Sequence, residues 1–177
     1  MRSLATALLC ALALAPTAAS ARGPSTAAER RRAVEATRSL ERQPLAPGAD
    51  ERRAWLAAWI DAVPDITVTS CHGPLDPLAD DEAEARHGRP LYLQSIFGMA
   101  TFLVEHPALR SDWAAVQVAG IESTLRAYRA LIASDPDARW PELDRLLAVQ
   151  RRGGLARLVE DEMAGCGAPQ PEAGVEI

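Results

Sequence analysis

Glu105 and His106 form the most suggestive titratable pair in the chain, at the end of the apolar stretch that starts at Leu91. Burial beside such a segment raises a carboxyl pKa and would make Glu105 an acid/base group with the imidazole beside it. The competing expectation is a helix end facing water, with His106 near the negative end of the helix dipole. A second set of candidates lies around the stretch from Gly73 to Arg89, where His72, Asp80, Asp81, Glu82 and His87 bracket a long irregular loop. Loops of that length in compact domains are functional or disordered. Cys71-His72-Gly73 sets a thiol beside an imidazole. Adjacent residues on an extended chain point to opposite faces, which argues against an activated thiol.

Other chemistries find no support. No HExxH or CxxC pair occurs, and the acidic run lacks the glycine and the final glutamate of a calcium-binding loop, so no metal site is expected. No Gly-x-Ser-x-Gly is present, and Gly153-Gly154 lacks the strand that a phosphate loop needs. The chain has no lysine, which removes Schiff-base and P-loop lysine chemistry, and no asparagine, which removes N-glycosylation. No cofactor is expected. Paired carboxylates of the glycosidase kind stay open, since any two acids can meet in space. The net charge of −5 argues against nucleic acid as a partner and against an electrostatic hold on anionic membranes.

The N-terminus reads as an export signal. Met1-Arg2 is a short positive start, Leu4 to Ala15 is apolar, and Ala19-Ser20-Ala21 is a small-x-small cleavage site. Residues 1–21 are therefore expected to leave, and the mature chain to be periplasmic or secreted, with no integral membrane segment. It then carries 18 arginines against 24 acids, a balance of −6. Cys10 would leave with the signal, which gives Cys71 and Cys166 as an even pair in an oxidising compartment. A Cys71–Cys166 disulfide is the simplest use of them, and two free thiols are the alternative.

The elements that must position these residues are helices. Thr26 and Glu29 have capping-box spacing, and a first helix runs to about Arg42 with few apolar residues. Residues 22–43 are accordingly expected to form a loosely packed N-terminal arm. Asp50 is expected to cap a second helix with Trp55, Leu56, Trp59 and Ile60 on one stripe. Ile66 to Thr69 is β-branched but too short and isolated for a sheet, and is expected to lie extended over the helices. Pro90 at a first helical position opens a buried helix over about 91–105, in which Gly98 implies a close helix contact. Ser111 is expected to cap the next helix, which packs through Gly120 and turns Glu122, Arg126 and Arg129 to the opposite face. Two shorter helices start at Pro141 and Leu155, and 167–177 has the composition of a mobile tail. The sum is an all-α irregular bundle of about six helices in one domain, 22–166, with one disulfide.

Leu93-Gln94-Ser95-Ile96-Phe97-Gly98-Met99-Ala100, Glu105-His106-Pro107 and Val118-Ala119-Gly120-Ile121-Glu122-Ser123 resemble segments of small exported bacterial helical proteins with no assigned activity. The resemblance covers mostly the central pair of helices. It implies a bacterial, exported, helical protein and carries over no catalytic residue, substrate or cofactor.

The leading functional expectation is a non-enzymatic binding module whose partner is a protein or a small apolar ligand, held at the 73–89 loop or in a groove along the central hairpin. A small hydrolase-like enzyme using Glu105 and His106, or the acidic loop, is the alternative. A structural cell-envelope protein is the third reading.

Overall fold

The computed structural model describes residues 22–71, 73–80 and 87–165. The expected signal (1–21), the tail (167–177), Cys166, His72, Asp81 and Glu82 lie outside them. Among the described residues there are six α-helices and no strand. They are α1 (Ala27–Arg42), α2 (Ala49–Ala62), α3 (Gly88–Glu105), α4 (Trp113–Ser134), α5 (Pro141–Arg151) and α6 (Leu155–Glu162). None is long and apolar enough to cross a membrane.

The antiparallel α3–α4 hairpin is the centre. On one side, the C-terminal half of α4 packs with α5 and α6 around Tyr128, Leu143, Leu146 and Val159, all fully buried. On the other side, the later part of α3 packs with α1 and α2 around Phe97, Leu40, Leu56 and Trp59. Trp59 is core and stacks with the half-exposed Trp55 at 6.0 Å, while Arg32 lies 4.0 Å over the Trp55 ring.

The helix starts show what local chemistry decides. Thr26 and Glu29 close the expected capping box, with Thr26 Oγ1 accepting from the Glu29 amide at 3.2 Å and Glu29 Oε2 from the Thr26 amide at 2.8 Å. α4 is capped by Asp112, whose carboxylate accepts from the Ala115 amide at 3.0 Å, one residue later than Ser111. Gly48, left-handed at φ 77°, precedes α2 and displaces Asp50 into its first turn. α3 begins at Gly88, which puts Pro90 at the third helical position. Proline is tolerated there because the first four amides of a helix have no partner to lose.

α1 is not the loose arm that its sparse apolar pattern suggested. Asp65, just after α2, accepts from the Ser25 amide (2.6 Å), the Ser25 hydroxyl (2.7 Å) and Arg30 (2.8 Å), which ties down the start of α1. Ala33, Thr37, Leu40 and Glu41 are buried against the hairpin. The segment after α2 is extended as expected: Ile66 is buried, and Gln117 of α4 donates to the Thr69 carbonyl at 2.9 Å.

The hairpin is tight at its two glycines. A Cβ at Gly98 would lie 2.3 Å from the Ser123 Cβ and 3.0 Å from the Ala119 carbonyl oxygen, and a Cβ at Gly120 would lie 2.9 Å from the Ser95 carbonyl oxygen. Gly98→Ala should therefore destabilise the fold. Overpacking costs about 1–3 kcal/mol, against a helix-propensity gain of about 1 kcal/mol, and at 2.3 Å the clash wins. The urea midpoint should fall; a midpoint at or above that of the parent would mean that the helices part freely.

Candidate functional site

A stripe of α3 faces a stripe of α4 beside their close contact. Gly98, Thr101, Phe102 and Glu105 recur at i, i+3, i+4 and i+7 on α3, and Ala115, Val118, Ala119 and Glu122 do so on α4. With Arg38 of α1 and Arg126 of α4 they line an open cleft of about 340 Å³. His106 closes one end, its ring tilted against Phe102 with centroids 4.7 Å apart. The volume is at the lower end of the range of small-molecule sites.

Behind the cleft sits a buried carboxylate. Glu41 of α1 is 5% exposed, and its Oε1 accepts from the Ser123 hydroxyl (2.7 Å), Arg126 (2.9 Å) and Arg38 (3.2 Å). Ser123 in turn accepts from Gln94 Nε2 at 2.9 Å, and Gln94 is itself buried. The result is a polar chain from α3 through α4 to α1, whose members polarise one another in a low dielectric. Burial pushes the Glu41 carboxyl up, but the hydrogen bonds from Arg126 and Ser123 and the charges of Arg126 and Arg38 prevail and hold its pKa below the usual glutamate value.

Glu105 is exposed rather than buried, and is ion-paired with Arg38 at 3.1 Å. The apolar burial that would have made it an acid/base group is absent. His106 is an exposed residue that ends α3. The structure thus brings Glu105 and His106 to a cleft, but as rim groups. The loop candidates stand apart. Asp80 is exposed beside Ser70, Cys71 and Tyr92, while His87, left-handed at φ 58°, precedes α3 with its Nε2 3.8 Å from Asp135. Among the described residues no group of three or more His, Cys, Asp or Glu is arranged to hold a metal.

Two residues of this site hold a buried polar atom with no hydrogen-bond partner among the described residues: Thr101, 3% exposed, at its hydroxyl, and Arg126 at its Nε. Leaving such a group unpaired costs about 1–3 kcal/mol.

Sequence reasoning missed Arg38, Glu41, Gln94 and Ser123, and assigned Arg126 to the solvent face. A signal for Glu41 existed: with Ala33, Thr37 and Leu40 it falls on one helical stripe, where a carboxylate is out of place unless it is paired.

The depressed Glu41 pKa fixes the sign of a pH effect. Its stabilisation is complete above the unfolded value of about 4.3 and is lost as pH falls through the lower folded value. Glu41→Gln should cost about 2 kcal/mol at pH 7, a charge-assisted hydrogen-bond loss discounted for half-exposed arginines. The gap between variant and parent should close below about pH 4, read from urea unfolding at several pH values. A gap independent of pH would show that the charge contributes nothing. Comparisons of the chain with protein-family models, with curated proteins and with solved structures return no match.

Proposed function

We propose that this chain is an exported helical binding protein whose ligand seats in the cleft between α1 and the α3–α4 hairpin. One observation carries the reading: an open cleft of about 340 Å³ whose wall joins the apolar Phe102, Val118 and Ala119 to the charged Arg38, Glu105, Glu122 and Arg126. A concave site with an apolar wall and a few convergent polar groups is where a small ligand seats. The apolar Phe102, Val118 and Ala119 would hold the body of the ligand.

The hydrolase-like alternative has less support, because Glu105 is engaged by Arg38 and exposed. The envelope-structural reading expects a closed surface, which an open cleft of this size disfavours. Amide chemical-shift mapping of the mature protein against a fragment library tests the proposal. Shifts should centre on Gly98, Thr101 and Ala119 and disappear in Ala119→Trp, which fills the cleft. Shifts confined to the 73–80 and 87–89 region, or none, would overturn it.

Export and a Cys71–Cys166 disulfide belong to the same reading. Cys71 is half-buried beside Gln117, whose Nε2 lies 3.8 Å from its sulfur. Two residues on, Gly73 lies so close beneath Met163 that a Cβ there would be 2.9 Å from the Met163 Cγ. Met163, the residue after α6 and three before Cys166, is thereby held next to the Cys71 segment. Three residues reach about 10 Å at most, enough to close a bond whose Cα atoms are about 4.4–6.8 Å apart. In the chain-entropy model a loop of this size adds about 4–5 kcal/mol. Protein exported by its own leader should start at Arg22, take up no thiol reagent when unfolded without reductant, and lose several degrees of Tm on reduction. Two labelled thiols in the exported protein would rule the bond out.

A further inference from the structure

We infer that α1 is an acid-released clamp: protonating the carboxylates that hold it frees it from the α3–α4 hairpin while α4, α5 and α6 stay folded. This concerns only how α1 is held and needs no ligand in the cleft. Apolar burial and polar ties both seat a helix, and α1 is poor in the first. Its buried residues are Ala33, Thr37, Leu40 and Glu41, of which only Ala33 and Leu40 are apolar. The buried residues of α5 and α6 are Leu143, Leu146, Leu147, Leu155 and Val159, all apolar. Apolar burial carries no proton, so this hold on α5 and α6 is the same in acid.

Carboxylates supply what the stripe of α1 lacks. Among the described residues, every hydrogen bond that ties 25–42 to a distant part of the chain ends on a carboxylate, apart from a 3.4 Å bond from Gln94 Nε2 to the Thr37 carbonyl. At the start of α1, Asp65 accepts from Ser25 and Arg30. At its end, Glu41 accepts from Ser123 and Arg126 of α4, and Glu105 of α3 accepts from Arg38. The helix is pinned at both ends by anions.

Three carboxyl groups that serve α1 lie below their ordinary range. Burial pushes Asp65 up, but the Ser25 amide, the Ser25 hydroxyl and Arg30 prevail and lower it. The Thr26 amide and hydroxyl hold Glu29 down, and Glu41 is lowered as described above. The charges that face Glu41 are Arg38 of α1 and Arg126 of α4, each with a second glutamate, Glu105 or Glu122; α3 reaches it only through the neutral Gln94 and Ser123. Asp65 faces Arg30 and shares an open hollow with Arg110, and Glu29 faces Arg22. With folded values below unfolded ones, the stabilisation is complete above about pH 4 and is lost as pH falls through the folded values. Release then removes Arg38 from the wall of the cleft, and removes Ala33 and Leu40 from the apolar cluster they share with Phe97, Leu56 and Trp59.

Hydrogen exchange of the mature protein, converted to protection factors from pH 7 to pH 3, tests this. Protection of the α1 amides should fall about a hundredfold or more between pH 5 and pH 3, while that of Leu125–Leu131 and Leu143–Leu147 changes less than about tenfold. Asp65→Asn combined with Glu41→Gln should leave α1 weakly protected at pH 7 and nearly insensitive to pH. Leu40→Val should weaken the docking of α1 yet keep its full dependence on pH, because the carboxylates stay in place. Protection of α1 that persists at pH 3, or that is lost together with that of α5 and α6, would overturn the inference. A double variant as pH-dependent as the parent would do the same.

Discussion

Ser123 occupies the point where α1, α3 and α4 meet, and the position of each helix depends on it. Its Cβ fills the space that a side chain at Gly98 would need, so α3 and α4 approach as closely as their backbones allow. Its hydroxyl, itself 2.9 Å from where that side chain would start, accepts from Gln94 on α3 and donates to Glu41 on α1. A larger residue would part the hairpin, and a residue without a hydroxyl would leave Gln94 and Glu41 short of a partner in a buried place. Packing and polar satisfaction are here demands on one side chain.

The carboxylate at the end of this chain explains the charges around the cleft. A buried anion needs compensation, because its desolvation exceeds what one neutral hydrogen bond returns. Arg38 and Arg126 supply it from opposite sides, one from the same helix as Glu41 and one from α4. Each also reaches a rim glutamate, Glu105 or Glu122. The rim is therefore built outward from the core, and its arginines are positioned by Glu41 before any ligand is considered.

Much of the architecture was legible in the sequence because its signals are local. The helical periodicities, the capping box at Thr26 and the two hairpin glycines each act within a turn or two, and the structure places them as read. What escaped was non-local. The place of Glu41 on the buried stripe of α1 could not reveal its partners, since Ser123 and Arg126 lie 82 and 85 residues away. α1 looked like an arm because its apolar stripe is thin, and the thin stripe is completed by this paired carboxylate and by the Asp65 clasp. Glu105 was read by its apolar neighbours in sequence. The turn that ends α3 instead brings it to the rim and to Arg38.

The cleft itself follows from the same contact. Helices pressed together at Gly98 and Gly120 need bulky side chains beyond that point to keep the gap closed. α4 offers Ala115 and Ala119 toward the cleft, and α3 offers Thr101. Alanine alone would be weak evidence of purpose in a chain this rich in it. Threonine is different: a valine at position 101 would have the same shape and leave no hydroxyl in need of a partner. That hydroxyl is closed off from solvent and unpartnered among the described residues, a polar cost that packing at this position does not require.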